Sequence, residues 1–252
     1  MNISKYQSII DIYPKKRFNL PKEYQQIYKE HYKKNREGET KATSISIKME
    51  RWLHKMVAKD VSNVHNDKTT LEIGAGTFNQ LKYEPNVNVY DVIEPFEELY
   101  KDSPYRNRIR KIYKDISEIN NVKYNRITSV ATFEHILNLP EVVAMSALLL
   151  EKNGELRVSI PNEGTILWRL GTYITGYEFK KTYGLDYQIL MKYEHVNTAE
   201  EIEAILNYFF KTISSKSYGI SKKIAFYRFF CCSEPDIEKA IKYLENKIRI
   251  KN

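Results

Sequence analysis

Long apolar runs are missing from this sequence. No stretch reaches the roughly 18 consecutive apolar residues that a membrane-spanning helix needs, so no such span is expected. Met1 to Leu20 is polar and lacks the apolar centre of a secretory leader. Cysteine is nearly absent, with only Cys231 and Cys232 present. Neighbouring cysteines rarely bridge, and on a strand they point to opposite faces. A disulfide scaffold is therefore excluded, and two reduced core thiols in a cytoplasmic protein are expected. The chain also lacks internal repeats, low-complexity tracts and blocks of about five or six like charges.

What is present is a globular balance. Hydrophobic residues make up 42% and charged residues 29% of 252, enough for one sizeable α/β domain with an insertion or cap, or for two small domains. Forty basic residues against 32 acidic give a net charge of +8. One source of that excess is an anionic partner: nucleic acid, a membrane surface or a phosphorylated substrate. The other is composition, since the chain is rich in Lys, Asn, Ile and Tyr. With no like-charge block, composition is the favoured source.

Residues 1–65 read as helical and separate. Pro21 opens a polar helix to about Lys34, ended by Asn35-Arg36-Glu37-Gly38. A second helix over about Ser44 to Lys59 sets Ile45, Met49, Trp52, Leu53 and Met56 at helical spacing. Strands are then expected at Thr69–Ile73, Val87–Ile93, Arg108–Tyr113, Ile127–Thr132 and Leu156–Ile160. A helix over Pro140–Glu151, closed by Asn153-Gly154, precedes the fifth. Alternation of this kind predicts βαβ units and a parallel sheet. Residues 161–193 break the rhythm and are rich in tyrosine. A helix near Thr198–Tyr208 follows, then an antiparallel pair near Phe210–Ser215 and Ala225–Cys231, turning at Ser217-Tyr218-Gly219. A polar helix from about Asp236 ends the chain.

Four segments carry chemistry. Leu71-Glu72-Ile73-Gly74-Ala75-Gly76-Thr77 runs a strand into a glycine turn, where a ligand can approach the backbone and free N–H groups. A dinucleotide fingerprint needs a third glycine at position 79, which is Asn79, and this counts against NAD. Glu94, followed by Pro95, ends the second strand twenty residues after Gly74 and suits the two hydroxyls of a ribose; the alternative is a helix cap or solvated charge. Asp115 follows the third strand and suits the amine of adenine, with Ile116 against the ring; the alternative is a plain loop carboxylate. Ala131-Thr132-Phe133-Glu134-His135-Ile136 ends the fourth strand, so its side chains should face a ligand bound at the carboxyl edge.

Taken in order, these segments resemble the class I S-adenosylmethionine methyltransferases, over about residues 66–232. Glu72-Ile73-Gly74-Ala75-Gly76 is similar to that family's first motif. Glu94 falls at its ribose-binding acid, Asp115 at its adenine-binding acid, and Phe133-Glu134-His135-Ile136 at its segment after the fourth strand. Phe78 stands where many members have a third glycine. The resemblance implies a Rossmann-like, seven-stranded, mostly parallel sheet with helices on both faces. It further implies an N-terminal helical cap over 1–65, a methyltransferase domain over 66–252, and an insert at 161–193. It makes Glu72, Gly74, Ala75, Gly76, Glu94, Pro95, Asp115, Ile116, Thr132 and Phe133 cofactor-binding residues for S-adenosylmethionine.

His135 and His195 are the base candidates for an acceptor hydroxyl. The family's metal-assisted variant has an acid three residues before its Glu-His pair. That position is Ala131 here, so no metal is expected. Pro161-Asn162-Glu163-Gly164 and Tyr193-Glu194-His195-Val196-Asn197 resemble a subgroup associated with bacterial surface polysaccharides. This implies a small, polar or anionic acceptor such as a sugar, nucleotide-activated sugar or phosphoryl-bearing molecule. Glu134, Arg169 and Tyr183 would contact it, with Lys180 and Lys181 nearby. Two rival readings remain: a non-catalytic nucleotide-binding protein on the same fold, and a methyltransferase acting on RNA or protein. No recognised RNA module is present, and the segment after the fourth strand lacks the tetrad of nucleic-acid N-methyltransferases.

Overall fold

The computed structural model describes residues 3–28, 44–62, 66–163, 165 and 176–251. The strands are β1 Asn66–Ile73, β2 Val87–Ile93, β3 Lys111–Tyr113, β4 Tyr124–Val130, β5 Leu150–Pro161, β6 Phe210–Ser221 and β7 Ile224–Pro235. They form one sheet ordered β3-β2-β1-β4-β5-β7-β6. The first five are parallel, and β7 runs antiparallel to both β5 and β6. The longer helices are α1 Ile3–Ile10, α2 Ser44–Ala58, α3 Leu139–Leu149, α4 Tyr187–Glu194, α5 Ala199–Phe209 and α6 Ile237–Lys251. Residues 22–28 and 176–183 are also helical. This is the Rossmann-like, seven-stranded architecture expected from the alternating pattern.

Side chains of a strand alternate between faces, and here the two faces differ in chemistry. Leu71, Ile73, Ile127, Leu156, Val158 and Ile160 point one way, into α3, α5 and α6. The intervening residues Thr70, Glu72, Arg126, Thr128, Arg157 and Ser159 are buried on the other face, against which α2 packs. Arg126 is 0% exposed and forms two hydrogen bonds to Glu84, at 2.8 and 2.9 Å. Asp60, just beyond α2, pairs with Arg126 at 2.9 Å and with Arg157 at 3.1 Å. Both guanidinium groups also donate to the carbonyl of Val57. The last carbonyls of a helix lack partners within it and carry its negative dipole end, so two cations there hold α2 to the sheet.

The expected elements shift in four places. The buried face of α2 is Leu53, His54, Val57 and Ala58 rather than the stripe through Met49 and Trp52, because the arginines draw in the helix's last turn. The side chain of Ile45, the end of the helix opened by Pro21, and Asn35-Arg36-Glu37-Gly38 lie outside the described residues. Strand β3 is three residues long, and Arg106–Arg108 is a helical turn. Asn153-Gly154 lies within β5 rather than closing α3. The hairpin turns at Lys222-Lys223, and Ser217-Tyr218-Gly219 lies inside β6, where a register shift marks a bulge. Cys231 and Cys232 lie on β7, both free: Cys231 accepts from Arg157 at 3.5 Å, and Cys232 is buried in the apolar core.

Glu84 neutralises a cation with no access to water, so its removal tests this layer. Glu84→Ala should cost about 3–5 kcal/mol of unfolding free energy by denaturant titration, the range for stranding one member of a buried ion pair.

Candidate functional site

The strand order reverses beside β1, between β2 and β4. In open parallel sheets such a reversal leaves a crevice at the carboxyl edge. Gly74 and Gly76 lie on it with φ of 71° and 51°, left-handed values that favour glycine. A Cβ on Gly74 would stand 2.2 Å from the Thr132 side chain, so β1 and β4 can approach this closely only through glycine. A Cβ on Gly76 would meet nothing within 4 Å among the described residues, so among these its backbone borders open space.

Phe78 adopts the left-handed conformation too, with φ of 67°. For a residue with a Cβ this costs roughly 1–2 kcal/mol. Its ring is fully buried and stacks on Tyr100 at a centroid distance of 5.1 Å. Burial of a Phe side chain returns about 1.5–3 kcal/mol, enough to hold the turn without the third glycine. The ring lies in the apolar cluster with Leu81, Tyr90 and Val92.

Glu94 is 3% exposed, and its carboxylate accepts from the N–H of Gly76 at 2.8 Å and of Phe96 at 3.1 Å. These two bonds aim it at the glycine turn, and a carboxylate has further lone pairs for hydroxyl donors. Pro95 and Phe96 are exposed beside it. Asp115 is exposed and caps a helical turn by accepting from Ser117, while the Ile116 side chain is buried in the core. Thr132 is half-buried over the glycine turn, donating to the Gly74 carbonyl at 3.3 Å, and Phe133 is fully buried. The side chain of Glu72 is not at the edge. It lies in the polar layer, where it accepts from Tyr90 at 3.0 Å, and burial pushes its carboxyl up to about 8.

A second group of residues stands along the same edge, after β4. Residues 13–17, 133–137 and 193–197 are bound together there. The backbone N–H groups of Val196 and Asn197 donate to the Glu134 carbonyl. The Asn197 amide donates to the carbonyls of Phe133 and Ile136 at 2.8 and 2.7 Å and accepts from Tyr13 at 2.7 Å. Arg17 donates to the carbonyls of Tyr193 and His135, both at 3.0 Å. The result sets the His135 and His195 rings edge to face, 4.7 Å apart. His195 Nδ1 hydrogen-bonds the Glu163 carboxylate. His135 Nδ1 lies 3.0 Å from the Glu194 carbonyl. Burial lowers the His195 pKa, but the Glu163 carboxylate outweighs it and the net shift is upward. Burial pushes Glu134 up to about 7, against the pull of His195.

Glu163 is held at its place by Asn162, whose amide donates to the carbonyls of Lys222 and Ala225 at 2.9 and 3.0 Å. Its contact with His195 spans 32 residues, which no local pattern reveals. Tyr183 packs on Phe179 at 4.8 Å, in a cluster of the 176–194 segment with Leu20 and Tyr24. Lys180 and Lys181 are exposed, and Arg169 lies outside the described residues.

The fold is that of the class I S-adenosylmethionine-dependent methyltransferases. The plantazolicin methyltransferase BpumL, solved with S-adenosylhomocysteine (SAH), superposes with a TM-score of 0.58 at 15% identity, covering 91% of this chain and 100% of that one. BpumL with a monoazolic desmethylplantazolicin analogue and SAH gives a TM-score of 0.56 at 14% identity, over 92% and 98% of the two chains. A SAM-dependent methyltransferase from Thermotoga maritima gives 0.51 at 17% identity, over 73% and 91%. No family model and no curated protein matches the sequence.

If Glu94 accepts the ribose hydroxyls, as its motif implies, Glu94→Ala should weaken SAH binding by about 1–3 kcal/mol, the cost of leaving buried hydroxyls without an acceptor. Calorimetry on the folded variant checks this, and unchanged affinity would remove Glu94 from the cofactor's contacts.

Proposed function

We propose that this protein is an S-adenosylmethionine-dependent methyltransferase acting on an oxygen of a small polar acceptor. The observation that carries the reading is the joint arrangement on one sheet edge. A glycine turn with a buried carboxylate aimed at it adjoins a half-buried pair of histidines. Gly74, Ala75, Gly76 and Glu94 would hold the cofactor's amino-acid and ribose parts. Asp115 would take the adenine, with the exposed Phe96 ring close to Glu94. Thr132 and Phe133 would line the cofactor between the two groups.

Methyl transfer from a sulfonium is an in-line displacement. The acceptor oxygen forms a bond to the methyl carbon, and the carbon–sulfur electron pair goes to sulfur. Alignment supplies much of the rate. A neutral hydroxyl must also lose its proton, and His135 and His195 are the groups beside the expected methyl that act on it. The segment 176–194, packed on residues 13–28, would cover the acceptor and exclude water. Glu134 and Tyr183 are the acceptor contacts proposed among the described residues, and Arg169 is proposed from sequence. The finer reading, a sugar-type or phosphoryl-bearing acceptor of surface-polysaccharide synthesis, is supported by the jobs of its two motifs. Asn162 and Glu163 of one, and His195 and Asn197 of the other, build the histidine pair.

The test is SAH formation with nucleotide sugars and phosphorylated sugars as acceptors. Turnover should appear with one of these classes. His135→Ala should lower it by about 10²–10⁴-fold with SAH affinity unchanged. Normal turnover in both His135→Ala and His195→Ala would remove the histidines from the reaction.

A further inference from the structure

We propose that Glu134, His135 and His195 bind one divalent transition-metal ion, with Glu163 as the carboxylate that orients His195. The proposal rests on reading this cluster as the acceptor side of the methyl-transfer site, and it replaces the two histidines as proton acceptors by a cation that they hold. One ligand atom from each of the three residues lies within 4.8 Å of the other two. Metal–ligand bonds of about 2.0–2.1 Å place tetrahedral ligand atoms roughly 3.3 Å apart, so modest side-chain rotations close the set around an ion. Two imidazoles and one carboxylate leave further positions for water or substrate. That donor set suits zinc, iron or manganese rather than calcium.

The orientation of each ring points the same way. The Glu194 carbonyl can only accept, so His135 Nδ1 carries the proton and Nε2 the lone pair. That Nε2 faces Glu134, 3.8 Å from Oε1. His195 gives its Nδ1 to the Glu163 carboxylate, which assigns ligation to Nε2. Metal-bound histidines typically donate their other N–H to a backbone carbonyl or a carboxylate, and these are the two partner types found here.

Glu134 separates a metal site from a base dyad. A histidine base oriented by Glu163 explains those two residues only. It leaves Glu134 2% exposed with its Oε2 lacking a hydrogen-bond partner among the described residues, a costly state for a carboxylate. A cation satisfies that oxygen and gives all four side chains one purpose. Ala131 is why no metal is expected from the sequence, and the third ligand comes from a distant segment, as His195 of 193–197. On this edge the ion would act as a Lewis acid toward the acceptor's oxygen, lowering the hydroxyl's pKa so that its proton leaves to water.

The experiment uses the full chain, stripped with a chelator, dialysed, and titrated with Zn²⁺ or Mn²⁺ alone. Elemental analysis and calorimetry read uptake, and Co²⁺ absorption reads the ligand field. One equivalent should bind. Glu134→Gln and His195→Ala should each abolish or strongly weaken uptake, and Glu163→Gln should weaken it by about 10–100-fold. Thermal melts identify which variants are folded, and Glu134→Gln conserves shape. Failure of the wild type to take up an ion overturns the proposal. So does equal uptake by the wild type and by folded Glu134→Gln and His195→Ala. Either result leaves the methyltransferase reading intact, because no cofactor is present. Stoichiometric uptake by a protein that fails to bind SAH supports the metal site and overturns the methyltransferase reading instead.

Discussion

At the carboxyl end of β1 the backbone of Gly74 runs against Thr132 at the end of β4, with no room for a side chain between them. The sheet order puts β1 between β2 and β4, so the chain turns away from β1 while the segment after β4 folds across the same edge. That contact brings the two halves of the site together. On one side the turn leaves the Gly76 backbone bordering open space and lets Glu94 reach its N–H. On the other, Thr132 leads directly into Glu134 and His135. A bulkier residue at 74 would separate the two.

The second half is assembled from distant parts of the chain. The turn 133–136 is clasped by Asn197, which is itself held by Tyr13, and Lys15 reaches both the Val196 carbonyl and Glu201. The N-terminal segment therefore supports the histidine pair directly. Below the sheet, Arg126 and Arg157 bind the end of α2. The basic residues with the clearest structural work thus face inward, at protein carbonyls and carboxylates.

Much of this was legible in the sequence because it is local. Period-two apolar runs mark strands, glycines after a strand mark the turn, and Pro140 and Thr198 mark helix starts. Glu94, Thr132 and His135 fall at strand ends, so their arrival on one edge follows from a parallel sheet. What escaped depends on contacts made across the chain. The hairpin's turning point was set by a bulge at Gly219, and the buried face of α2 by two arginines more than sixty residues away. Glu72 reads as a site residue from its motif, yet strand alternation turns its side chain into the polar layer. Glu163 had no local pattern linking it to His195. The buried, unsatisfied Glu134 is visible only in three dimensions, because a Glu-His pair looks the same whether exposed or enclosed.

The central claim is that S-adenosylmethionine chemistry is housed at the Gly74–Gly76 turn and Glu94. Amide hydrogen exchange of the full chain with and without SAH tests it most directly. The account predicts slowed exchange for the amides of residues 74–78, Glu94 and Phe96, with smaller protection around 115–117 and 132–135. Absence of protection at saturating SAH, or protection confined to other segments, would contradict it.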